Sequence, residues 1–154
     1  MPIDQETFDR RFRELYTGLV EIAFEFVGRN KQEVDAVYVF GTMGMRGYYY
    51  NCCYRINGKL VNVEDVNEVS RQQYDLSDER FEAMTAIGIG DLEKTETLFK
   101  EAGKEAPTLM KMAYYPKTGK FNNDLDYNLL LSDRTKSINM FFKQWFAELA
   151  KSSA

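Results

Sequence analysis

The segment Leu109–Leu129 constrains this chain most, because its pattern fits a β-hairpin and little else. A first run, Leu109–Tyr115, leads into Pro116-Lys117-Thr118-Gly119, which has proline early and glycine late, as a tight turn requires. The returning run alternates. Phe121, Leu125, Tyr127 and Leu129 share one face, and Asn122, Asp124, Asp126 and Asn128 share the other. A period of two with this polarity predicts a strand with one face on a core and one in water.

A second hairpin is signalled earlier. Val34–Thr42 reads as a strand ending in the Gly44–Gly47 turn, and Tyr48–Ile56 reads as the next. Asn57-Gly58 follows, a pair in which both residues accept positive φ, and Lys59–Val63 returns. Pairing Ile56 with Lys59 sets Tyr54 opposite Val61 and Cys52 opposite Val63, on the side predicted to face the core.

Helices fill the intervals. Asp4 caps the first, Ile3 is placed to staple onto Phe8, and Phe8, Phe12, Leu15, Leu19, Ile22 and Phe26 follow helical spacing before Gly28. Ser77 starts a second helix with Phe81, Met84, Leu92, Thr95 and Phe99 inward, ending near Gly103 and Pro107. Within it, Gly88-Ile89-Gly90 predicts a kink, or a break recapped by Asp91, since each glycine costs about 1 kcal/mol relative to alanine. Ser132 or Asp133 caps a last helix with apolar positions Ile138, Phe141, Phe142, Trp145, Phe146 and Leu149. The order is α-β-β-β-α-β-β-α. It predicts a single α+β domain over residues 1–154, with an antiparallel sheet of about five strands and three main helices packed on one of its faces.

Several chemistries are disfavoured. The chain has no histidine, which removes the commonest general base and metal ligand. Cys52 and Cys53 are adjacent, so they point to opposite faces of a strand and read as buried thiols suited to a reducing cytoplasm. No phosphate-cradling glycine loop opens a helix, no apolar run approaches the length of a membrane span, and no cofactor is predicted. A net charge of −4 argues against nucleic acid as a direct partner.

The charge is unevenly placed. Residues 64–105 hold twelve acidic against five basic side chains, a local balance of −7. Glu79, Glu82, Glu93 and Glu96 are the candidate partner-binding residues there, able to steer a basic partner. Asp124 and Asp126 form a second acidic patch, and Tyr49, within Tyr48-Tyr49-Tyr50, is a candidate interface anchor. Each has a plainer reading, as solvated helix face, wet strand face or core filling respectively.

The second hairpin also carries a resemblance. Pro107-Thr108, then Tyr114-Tyr115-Pro116-Lys117-Thr118-Gly119-Lys120-Phe121, then Asp124-Leu125-Asp126-Tyr127 resembles the YezG-like immunity (antitoxin) family. The helix around Glu14-Leu15-Tyr16 and the aromatic first hairpin fall in the order of that family. The likeness in layout spans most of the chain, while the specific letters concentrate in residues 107–127. It implies a cytoplasmic protein, not an enzyme, that binds and neutralises a cognate toxin, often a secreted nuclease. Two other classes stay open: a small metal- or carboxylate-dependent hydrolase using Asp124 and Asp126, and a regulatory module that homodimerises through exposed tyrosines.

Overall fold

The computed structural model describes residues 3–44, 47–127 and 135–152. Helix α1 spans Gln5–Phe26. The Asp4 carboxylate caps it by accepting the Thr7 N–H at 2.7 Å. Gly28 and Arg29, both at positive φ, stop it. Strands β1 (Val34–Thr42), β2 (Tyr49–Ile56) and β3 (Lys59–Asn62) follow, then a 3-10 helix, Val63–Glu68. Helix α2 runs Asp78–Glu101 from its Ser77 cap. Strands β4 (Leu109–Tyr115) and β5 (Lys120–Asp126) make the second hairpin, and helix α3 spans Ile138–Lys151. Every strand pair is antiparallel, and the sheet order is β3-β2-β1-β4-β5. The α+β class and element order are those predicted.

Asn57 and Gly58 both adopt positive φ, and the register sets Ile56 against Lys59 and Tyr54 against Val61. Cys52 does not meet Val63 in a ladder, because β3 ends at Asn62 and the chain winds into the 3-10 helix. Both thiols are buried and free, and burial pushes the Cys52 thiol up to about 12 and that of Cys53 well above its ordinary value.

Three expectations are corrected. The helices do not share one face of the sheet. Val37, Val39, Cys52, Tyr54 and Met112 belong to the core cluster that α1 and α2 enter, while Tyr38, Phe40, Cys53 and Leu109 pack with Phe141 and Phe142 of α3. The central strand is therefore buried on both sides, which accounts for its nearly continuous apolar run. Second, α2 is neither kinked nor recapped at Gly88-Ile89-Gly90 but continues through all three residues. Gly88 is buried against the Tyr50 ring, where a Cβ would stand only 2.4 Å from a ring carbon. The glycine serves close helix–sheet approach. Third, Phe81 is 37% exposed, although Met84, Leu92, Thr95 and Phe99 do turn inward.

On β5 both faces retain solvent exposure, since the strand lies at the edge of the sheet; Phe121 is half-buried and Leu125 exposed. Asn128, Leu129, Ser132 and Asp133 lie outside the described residues. Helix α3 takes its cap from Ser137, whose hydroxyl accepts the Met140 N–H at 3.2 Å. No helix among the described residues is long and apolar enough to cross a membrane.

Candidate functional site

Because α2 is continuous, its acidic residues fall into register. At 100° per residue, Glu79, Glu82, Glu93 and Glu96 occupy one side of the helix within about 100° of arc, and the fourteen-residue step between corresponding members spans about 21 Å. Met84, Gly88, Leu92 and Thr95 hold another side down on the core. Glu79, Glu82 and Glu93 are exposed and Glu96 is half-buried. None of the four makes an ion pair among the described residues, where the pairs are Arg10–Glu14, Arg29 with Glu21 and Glu25, and Lys117–Asp35. Near the start of α2, exposed Glu64 of the 3-10 helix and Asp78 line one small cavity of about 200 Å³ with Phe81, extending the negative surface.

Tyr48 completes this surface. It is 38% exposed and its hydroxyl donates to the Glu96 carboxylate. That bond raises the phenol to about 12, with burial and the Glu96 and Glu93 charges adding to it. The Glu96 carboxylate also lies 3.9 Å from where a Cβ on Gly44 would stand, so the end of β1, Tyr48 and the later part of α2 converge. The tyrosine beside the acids is thus Tyr48. Tyr49 points to the other face of the sheet, half-buried, where its hydroxyl accepts from Asn51 at 2.9 Å and donates to Asn139 of α3 at 2.8 Å. Tyr50 and Tyr54 are core residues whose hydroxyls donate to the Leu19 and Ala23 carbonyls, at 2.7 and 2.6 Å. Strand alternation sets Tyr49 on the opposite face from Tyr48 and Tyr50. Tyr50 is buried beneath Gly88 of α2 and Tyr49 half-buried beside α3, which leaves Tyr48 exposed.

Asp124 and Asp126 are not part of this surface. They sit on edge strand β5, with Asp124 opposite Lys111 and Asp126 opposite Leu109, whose side chain belongs to the α3-side cluster. Among the described residues, no group of three or more His, Cys, Asp or Glu side chains is placed to hold a metal ion.

The residues that carry the family likeness have visible structural duties. Lys117 reaches Asp35 at 2.6 Å, and the other oxygen of Asp35 accepts the Gly58 N–H at 2.8 Å, so one carboxylate ties the two hairpin turns together. Burial pushes this carboxyl up, but the ammonium and the N–H outweigh it and hold Asp35 below its ordinary value. Thr108 donates from Oγ1 to the Asp126 carbonyl at 3.1 Å, and the Thr118 hydroxyl bonds within the turn.

A further carboxylate escaped sequence reasoning. Glu33 accepts from Asn30 and Asn57 amides, the Ser70 hydroxyl, and the Arg71 and Gln72 N–H groups, at 2.7 to 3.3 Å. These bonds, led by the Arg71 N–H, hold it down at about 2. Its donors come from three separate stretches, so no local pattern announces it.

The sequence matches no protein-family model and no curated protein.

Proposed function

We propose that this chain is a non-enzymatic immunity (antitoxin) protein, acting in the cytoplasm, that binds a basic toxin domain and covers its substrate-binding surface. One observation carries the reading: four carboxylates without ion-pair partners among the described residues are aligned on one side of a rigid helix, with a half-exposed tyrosine among them. A nuclease groove is built to hold phosphates spaced about 3.4 Å along the axis of each strand, so a row of carboxylates about 26 Å long, from Glu79 to Glu96, covers the length of about seven. Tyr48 supplies the amphipathic ring that interface centres favour. The resemblance of the second hairpin to YezG-like proteins supports the same class. That hairpin then serves the fold, and the contact surface is α2.

Substituting lysine at Glu79, Glu82, Glu93 and Glu96 together will slow association with a cognate basic toxin domain by about tenfold or more at low salt, and will flatten the salt dependence of that rate. Stopped-flow association across a salt series reads both quantities. An unchanged rate would reject the acidic surface as the contact. Failure of the wild-type chain to protect cells expressing that toxin would reject the immunity function itself.

A further inference from the structure

Strand β5 ends the sheet, and its outer edge faces no other strand among the described residues. The Asp126 carbonyl accepts the Thr108 N–H at 2.8 Å and so points inward, toward β4. Alternation along the strand points the backbone groups of Asp124 and Asn122 the same way, and turns those of Phe121, Asn123 and Leu125 outward. The other edge strand, β3, is only four residues long and gives way to the 3-10 helix. The seven-residue β5 is the more open edge.

Two features of β5 fit one occupant. Its sequence from Lys120 to Asp126 is self-complementary when reversed about Asn123. Lys120 then faces Asp126 of the other copy, Phe121 faces Leu125, Asn122 faces Asp124, and Asn123 faces itself. The dyad repeats the Lys120–Asp126 pair, and a carboxylate can accept from more than one donor. The second feature is Asn123, whose side-chain oxygen is buried and has no hydrogen-bond partner among the described residues. Such an atom calls for a donor. In this register the second copy's Asn123 stands alongside, and its amide supplies one once the two side chains turn toward each other. Beside these residues lies a cavity of about 500 Å³ lined by Asp9, Phe12, Arg13, Tyr16, Phe121, Asn123 and Leu125, with room for side chains of an added strand.

We propose that two copies of this chain pair edge to edge through β5, antiparallel about a dyad at Asn123, to form one continuous sheet. Helix α2 packs over β1 and β2, away from β5, so the dimer leaves its acidic side open.

Sedimentation equilibrium of the full chain over a concentration series tests this. The wild type will dimerise. Lys120→Glu and Asp126→Lys each set like charges opposite one another twice, and each will raise the dissociation constant by about tenfold or more. An equimolar mixture of the two variants will recover the dimer, because each copy then offers the charge the other lacks. Asn123→Pro removes an outward N–H without changing charge and gives a second route to the monomer, should a charge variant fail to fold by circular dichroism. A wild type that stays monomeric at its highest soluble concentration overturns the proposal. So does a dimer indifferent to folded variants, or a mixture of folded variants no tighter than either alone.

Discussion

Gly88→Ala will destabilise the protein by about 2 kcal/mol, against the usual direction of a glycine-to-alanine change in a helix. Alanine ordinarily gains about 1 kcal/mol at such a position through helix propensity. Here its Cβ would stand 2.4, 2.5 and 2.8 Å from three carbons of the Tyr50 ring. That ring cannot swing aside, since it is buried and its hydroxyl donates to the Leu19 carbonyl of α1 at 2.7 Å. Either α2 lifts off the sheet or the Tyr50 bond is lost; overpacking typically costs about 1–3 kcal/mol, and contacts this short set it near the upper end, so about 2 kcal/mol of loss remains after the propensity gain. Gly90 provides the control. A Cβ there would meet nothing within 4 Å, so Gly90→Ala will stabilise by up to about 1 kcal/mol. Urea unfolding of the two variants beside the wild type measures both. Equal effects would mean that the helix does not rest closely on Tyr50.

Glu33→Gln will cost about 2 kcal/mol, because an amide replaces a charged acceptor that serves two side-chain amides, a hydroxyl and two backbone N–H groups. The new NH₂ also faces donors. Water reaches this half-buried site and screens the charge, which keeps the loss below the sum of five charged bonds. The loss will depend on pH. The folded-state value near 2 lies below the ordinary 4.5, so the stabilisation from this carboxylate is fully present above about 4.5. It fades as pH falls through the interval down to about 2. The difference in unfolding free energy between wild type and Glu33→Gln should therefore be largest near neutrality and close toward pH 2. A gap that stays constant through that interval would show that the charge on Glu33 is not what the loop 69–72 is fastened to.

Much of the architecture could be read from local pattern. The bounds of β1, the positive-φ pair Asn57-Gly58 and the hairpin turn at Pro116–Gly119 each follow from chemistry within a few residues. What escaped was set by distant contacts. That α3 covers the second face of the sheet depends on Phe141, Phe142 and Trp145 finding Tyr38 and Phe40, far away in the chain. The continuous apolar run of β1 was the available sign, since a strand open to water on one side alternates. The two glycines in α2 obscured the candidate site itself. Had the helix broken there, Glu79 and Glu82 would bear no fixed relation to Glu93 and Glu96. Only Tyr50, packed beneath Gly88, shows why the helix runs on. Tyr48 and Tyr49 were indistinguishable by type, and the docking of α3 separated them.

The placement of β1 has a consequence for motion. It has a strand on each side, helices above and below, and partners β2 and β4 that come from opposite halves of the chain. Its successive amides point alternately to β2 and to β4, so detaching one hairpin can free only every second one, and lifting one helix layer leaves the second in place. Hydrogen exchange across Val37–Phe40 should therefore be complete only when the whole molecule unfolds, so the slowest amides of this stretch would report its global stability directly.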